Sequence, residues 1–153
     1  MARSSRVKVS MSGTDDINKL RLRLWGLTKK EVHVGMQGDA ELAMIAAVHE
    51  YGSAKMGIPA RSFIRSGRMK SRIPVGKIVR AGVTEIAFGR KRAGVLLEEA
   101  GRTGLDRTIK NFERIKQPPL SARYKAERGG GRKLLQRDKD LRESLTYVIK
   151  KKR

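Results

Sequence analysis

Apolar residues recur along this chain with two different spacings, and the order of these spacings limits the fold more than any other feature of the sequence. Short segments that alternate apolar and polar residues are typical of half-buried strands. They span 6–13, 31–36 and about 144–150. Longer segments that repeat apolar residues every three to four positions predict amphipathic helices. They span about 14–26, 40–51, 75–88 and 93–115. This order predicts an α+β fold, with a small, mostly antiparallel sheet packed against about four helices.

Charge is the second constraint on the chain. The 153 residues include 36 lysines and arginines against 15 aspartates and glutamates, which gives a formal net charge of +21. Compaction therefore works against self-repulsion, and the surface attracts polyanions such as nucleic acid or an acidic partner. Because only 39% of the residues are hydrophobic and 5% are aromatic, the core has to be thin and mostly aliphatic. We expect a single domain over 1–153 that gains from assembly with copies of itself.

Two segments of this domain are predicted to be flexible, basic loops, at about 52–61 and 117–137. Gly52 is a typical helix stop, and Ile58 before Pro59 favours an extended backbone. The second segment contains two prolines and three consecutive glycines between basic residues, a pattern typical of connectors. Basic residues in or beside these segments are candidate contacts for DNA or for an acidic partner. They are Arg68, Lys70, Arg72, Arg123, Lys125, Arg128, Arg132 and Lys133.

Residues suited to catalysis or to cofactor binding are scarce. Cysteine is absent, and His33 and His49 are the only histidines. His49 does not begin a zinc-protease motif, because Ser53 stands where the second histidine belongs. Neither of the glycine-rich phosphate-binding motifs, GxxxxGK[ST] and GxGxxG, is present. We therefore predict a protein that is not an enzyme, with no metal and no cofactor.

Two segments in the right order resemble a known family. The first runs from His49-Glu50-Tyr51-Gly52 through a variable loop to Ile58-Pro59-Ala60-Arg61-Ser62-Phe63. The second joins Pro119-Leu120-Ser121 to Leu141-Arg142-Glu143-Ser144-Leu145-Thr146-Tyr147. Together with the strands and helices around them, they are similar to the tail-completion, or head-to-tail joining, proteins of long-tailed bacteriophages. Ser62 replaces a proline common in that family, and Asp138-Lys139 replace a usual Thr-Gly pair.

The resemblance implies a structural virion protein of the neck, made in the host bacterial cytoplasm. Such a protein is a subunit of a ring, most simply a hexamer, between the head-side connector and the tail terminator or tail tube. DNA in the lumen of the ring would be a further partner, and no membrane would be involved. The corner at 49–63 would present Arg61 and Phe63 to a neighbour. The residues expected at the ring or partner interface are His49, Glu50, Tyr51, Gly52, Ile58, Pro59, Arg61, Phe63, Arg65, Leu141, Arg142 and Ser144.

Two other functions stay open at the level of sequence. The charge alone favours a general nucleic-acid-binding protein, whose contacts would be electrostatic and blind to sequence because aromatic residues are few. A nuclease that uses Asp138, Asp140 and Glu143 is the enzymatic alternative, although the neighbouring Arg137 and Lys139 favour ordinary ion pairs.

Overall fold

The computed structural model describes residues 14–37, 40–119, 126 and 139–152. Within these residues the chain forms a two-stranded sheet and five helices, which confirms the predicted α+β class. In chain order the elements are α1 (Thr14–Thr28), β1 (Lys30–Met36), α2 (Ala40–Tyr51), α3 (Ile64–Ala87), α4 (Ala93–Arg114), α5 (Lys139–Glu143) and β2 (Leu145–Lys151).

The long helices α3 and α4 form the centre of the fold as an antiparallel hairpin. Gly67 lies against Thr108 near one end of the hairpin, and Gly82 lies against Leu96 near the other. A Cβ on Gly67 would lie 2.9 Å from the Thr108 Cα, closer than side chains pack. The two backbones can therefore approach closely only because one of them has no side chain there.

The sheet pairs β1 with β2 in antiparallel register, with Val34 opposite Tyr147 and Met36 opposite Leu145. Both strands contact α4. The Tyr147 ring lies over Gly101, and Val34 approaches Gly104. A glycine face on α4 thus gives the strand side chains room to pack.

The main core lies where α2, α3, α4, α5 and β2 meet. Its buried members are Ala46, Phe63, Phe112, Leu141 and Leu145. The rings of Phe63 and Phe112 meet edge to face, with centroids 5.1 Å apart. This geometry is favourable for aromatic pairs and adds to the free energy gained from burial alone.

Most of the predicted elements are confirmed with shifts of one or two residues at their ends. They correspond to α1, β1, α2, α4 and β2. The predicted strand at 6–13 lies outside the described residues, as does most of the predicted loop at 117–137.

The helix predicted over 75–88 is much longer than expected. It begins at Ile64 and continues through Pro74, which would normally interrupt a helix. Contacts with α4 at Gly67 and Gly82, on either side of the proline, hold the helix together. The basic segment from Arg65 to Arg72, expected in or beside a loop, is therefore helical.

One further local prediction differs from the structure. The segment 52–61, predicted to be a flexible loop, contains a short hairpin in which Ser53 and Ile58 exchange backbone hydrogen bonds of 2.8 and 2.9 Å. Asp140, one of the acids of the nuclease alternative, lies in α5, while Asp138 lies outside the described residues. The hydrogen bonds between Ser53 and Ile58 are local and leave no periodic signal in the sequence.

Candidate functional site

The His-Glu-Tyr-Gly and Ile-Pro-Ala-Arg motifs together form a corner between α2 and α3. At its first turn Gly52 has a φ of +76°, a conformation that side chains disfavour. A Cβ at this position would also lie 2.8 Å from the Ile58 carbonyl oxygen and the Ala60 nitrogen. The glycine is therefore required both by its backbone angle and by the close return of the chain.

Glu50 joins the two helices at this corner. Its Oε2 accepts hydrogen bonds from the backbone nitrogens of Phe63 and Ile64, both at 2.9 Å. Its Oε1 accepts from the Arg65 nitrogen at 2.9 Å and from the Ser62 hydroxyl at 2.6 Å. The carboxylate thus satisfies three N–H groups at the start of α3, where the helix dipole also favours a negative charge.

Arg61 ties the corner to the chain that follows α4. Its backbone nitrogen donates to the His49 carbonyl at 2.6 Å. Its guanidinium donates from Nε to the Pro118 carbonyl at 3.0 Å and from Nη2 to the Pro119 carbonyl at 3.1 Å. Two different nitrogens of the planar guanidinium each reach one carbonyl, a geometry that the single nitrogen of a lysine does not reproduce.

The burial of these residues corrects part of the predicted interface. Arg61 is 6% exposed and Phe63 is fully buried, so the expectation that the corner presents them to a neighbour is wrong for the folded chain. Glu50 and Leu141 are also buried. Glu50 and Arg61 form hydrogen bonds within the chain, and Phe63 and Leu141 belong to the main core. These four side chains therefore stabilise the fold of the single chain.

Other members of the predicted interface remain at the surface. Tyr51 is 82% exposed, and Pro59, Arg65 and Arg142 are exposed as well. The Arg142 Nε donates to the Glu113 Oε1 at 2.9 Å, so this arginine has an ion-pair partner within the chain. The partly buried members are His49, Gly52, Ile58 and Ser144. Interface roles for these eight residues stay a prediction.

The candidate basic contacts separate into two groups. Arg68, Lys70 and Arg72 are exposed on α3, and the Lys70 Nζ donates to the Asn111 Oδ1 at 2.5 Å. The other five lie outside the described residues. They are Arg123, Lys125, Arg128, Arg132 and Lys133.

A groove of about 480 Å³ lies beside the corner, between α2 and the start of α3. Its lining residues are Met36, Ala43, Ala46, Ala47, Glu50, Tyr51, Ile64, Arg65 and Arg68. The sequence prediction included three of the residues that line it as interface members and Arg68 as a basic contact, but missed its alanine floor. Helical spacing of Ala43, Ala47 and Tyr51 on one face of α2 is the signal that could have indicated it.

Charges around the groove are unevenly distributed. Arg65 and Arg68 form no ion pair with any carboxylate of the described residues. The one carboxylate that lines the groove belongs to Glu50, whose oxygens already accept four hydrogen bonds. The rim is therefore cationic and the floor apolar.

Chemistry of other kinds has little geometric support in the described part of the chain. No group of three His, Asp or Glu side chains there could hold a metal ion. Asp140 and Glu143 lie on α5, but the third residue of the nuclease alternative, Asp138, is outside the described residues. None of the described helices is both long enough and apolar enough to cross a bilayer.

Comparison with known proteins gives no assignment for this arrangement. No family model, curated protein or solved structure matches the chain. The function has to be inferred from the chain's own sequence and geometry.

Proposed function

We propose that this chain is a structural virion protein of the neck of a long-tailed bacteriophage, where copies form a ring between the head connector and the tail. In this role the protein is a tail-completion, or head-to-tail joining, subunit and not an enzyme. The ring meets the connector on one side and the tail terminator or tail tube on the other. DNA passes through its lumen.

The observation on which the proposal depends is the amount of apolar surface that one copy leaves exposed. Leu22 and Trp25 of α1 are 66% and 55% exposed, and Met69 and Ile73 of α3 are 64% and 72% exposed. The members of each pair lie three or four positions apart and so share one face of their helix, and single proteins rarely leave large apolar patches uncovered. A closed ring needs two different patches on each copy, one for each neighbour, and α1 and α3 offer two such sets.

The rigid corner supports the same role. The motifs that resemble the joining family hold α2, α3 and the segment 117–119 in one arrangement through hydrogen bonds of Glu50 and Arg61. In a closed ring, the angle between the two contact surfaces of one copy sets the rotation from each copy to the next. The motif residues would thus act by fixing the geometry of the exposed surfaces beside them.

The experiment that tests the proposal measures mass and shape in solution. The full chain, treated with nuclease, is examined by light scattering and negative-stain microscopy at low and at moderate salt. We expect rings of about six copies, or monomers that form rings when connector is added. A protein that stays monomeric at both salt concentrations and does not bind the connector, yet retains nucleic acid, would contradict the proposal.

A second candidate function rests on the charge of α3. This helix contains six basic residues and one acidic residue, Glu85. A general nucleic-acid-binding protein would use such a surface to contact phosphates, and its affinity would fall steeply with salt. Retention of nucleic acid by a protein without rings, in the experiment above, would favour this candidate.

A further inference from the structure

We propose that the groove between α2 and α3 binds an acidic, amphipathic helix from a partner protein. The inference rests on the proposed function, because it names the chemistry of the partner that the joining protein recognises beside its corner. The groove has an apolar floor for one face of such a helix and a cationic rim for its acidic residues.

The floor has the shape and chemistry of a helix-binding groove. Ala43 and Ala47 of α2 lie one turn apart and leave space where larger side chains would fill it. Met36 and Ile64 supply apolar surface beside them. Grooves of this kind accept the apolar stripe of an amphipathic helix, whose side chains project at intervals of three and four residues.

The rim selects the charge of the partner. Arg65 and Arg68 are exposed and have no ion-pair partner among the described residues, and Tyr51 stands beside them with 82% of its surface accessible. Arginine and tyrosine are enriched among the residues that dominate binding energy at interfaces. Acidic side chains on a docked helix would form the ion pairs that this chain does not supply itself.

Charge also argues against a second copy of the chain as the occupant. The exposed apolar side chains of α1, Leu22 and Trp25, lie beyond its acidic first turn and beside two basic residues, Arg21 and Arg23. These would face Arg65 and Arg68 with charge of the same sign, and the whole chain has a net charge of +21. A different protein with an acidic surface fits the groove better.

The test uses a labelled peptide of about 18 residues made of leucine, alanine and glutamate, with its leucines at helical spacing. A matched peptide has lysine in place of glutamate. Fluorescence anisotropy measures binding to the full chain after nuclease treatment, at moderate salt. We expect the glutamate peptide to bind and the lysine peptide not to bind.

Variants of the groove separate specific docking from general attraction to a basic protein. Ala47→Trp fills the floor from an exposed position, and Arg65→Glu with Arg68→Glu reverses the rim. Each change should weaken binding of the glutamate peptide at least about tenfold. Matched variants on α3 outside the groove, Ala81→Trp and Lys77→Glu with Arg80→Glu, should change it less than about twofold. Thermal melts by circular dichroism confirm that each variant folds.

Three results would overturn the inference. One is equal weakening by the variants inside and outside the groove, which would mean non-specific attraction. The second is equal binding of both peptides. In the third, Ala47→Trp abolishes self-association of the chain while the peptide does not bind the unaltered protein, which would assign the groove to a second copy.

The same samples keep this inference apart from the proposed function. Rings in the unaltered protein with no binding of the glutamate peptide would leave the joining role standing and remove the acidic-helix inference. Groove-dependent peptide binding by a chain that never forms rings and does not bind the connector would remove the joining role and leave the acidic-helix inference standing.

Discussion

At the scale of single residues, the corner depends on one buried carboxylate. Glu50 is 9% exposed and accepts four hydrogen bonds, three of them from backbone nitrogens at the start of α3. Those nitrogens have no partner inside the helix, and their removal from water without another acceptor would be costly. A single side chain thus connects the end of α2 to the beginning of the longest helix.

Replacing Glu50 by alanine should lower the free energy of unfolding by about 3 kcal/mol, because buried backbone donors lose their acceptor and the helix loses its cap. Urea denaturation followed by circular dichroism measures the change. Glu85→Ala is the matched control, since Glu85 is a half-exposed acid on α3 whose pair with Arg90 spans 3.8 Å. The control should lose less than about 1 kcal/mol. Equal losses in both variants would contradict the capping role.

Replacing Arg61 by lysine should also destabilise the chain, although the charge is kept. Lysine has a single nitrogen and cannot reproduce the fork by which Nε and Nη2 reach the Pro118 and Pro119 carbonyls separately, so we expect a loss of about 2 kcal/mol in urea denaturation. Arg80→Lys, at an exposed position of the same chain, should change the unfolding free energy by less than about 0.5 kcal/mol. If Arg61→Lys behaves like this control, the paired hydrogen bonds to 118 and 119 do not stabilise the fold.

The roles of these residues could be predicted from the sequence only in part. The motifs indicated a helix stop at Gly52 and a corner over 49–63, and the structure has a turn at Gly52 and backbone hydrogen bonds across that corner. They did not indicate that Arg61 and Phe63 point inward, because their partners lie far away along the chain, at Pro118, Pro119 and Phe112. Periodicity describes neighbours within one element and contains no information on such distant contacts.

At the scale of elements, the α3–α4 hairpin explains why glycines occur inside long helices. Glycine in a helix interior costs about 1 kcal/mol relative to alanine, so its presence calls for a reason. Gly67, Gly82 and Gly101 each lie under a neighbouring side chain or backbone. Gly76 has nothing within 4 Å of the place where a Cβ would stand. The two kinds of glycine should therefore respond in opposite ways to the same substitution.

Gly67→Ala should destabilise the chain by about 2 kcal/mol, because the new methyl group would overlap the Thr108 backbone, which cannot move without shifting α4. Gly76→Ala should stabilise it by about 0.5 to 1 kcal/mol, since the methyl group meets no neighbour and alanine favours the helix. Thermal melts of both variants measure the difference. Two substitutions with the same sign would mean that the helices do not pack at Gly67 as described.

The limits of sequence prediction at this scale have the same physical origin. Elements with a regular apolar stripe, such as α4 and β1, were predicted within one or two residues of their ends. The first eleven residues of α3 were missed because Pro74, Gly76 and several arginines weaken the helical pattern that packing on α4 stabilises. The groove was missed because it exists only where two elements meet.

At the scale of the whole molecule, two forces of opposite sign act between copies. Exposed apolar side chains on α1 and α3 favour association, whereas a net charge of +21 opposes it. Salt screens the charge repulsion and leaves the apolar attraction nearly unchanged at moderate concentrations. Binding to nucleic acid responds in the opposite direction, because salt competes for the phosphates.

Raising the salt concentration from about 20 to about 200 mM shortens the screening length from about 20 Å to about 7 Å and should therefore promote self-association of the nuclease-treated chain. Sedimentation velocity over a series of protein concentrations measures the shift from monomer to ring. Lys77→Glu with Arg80→Glu lowers the net charge at exposed positions of α3 and should shift the same equilibrium toward the ring already at low salt. Affinity for a duplex of random sequence should fall over the same salt range in both proteins.

Self-association that weakens with salt, in parallel with duplex binding, would mean that residual nucleic acid holds the copies together. That result would favour the nucleic-acid-binding function over the joining ring.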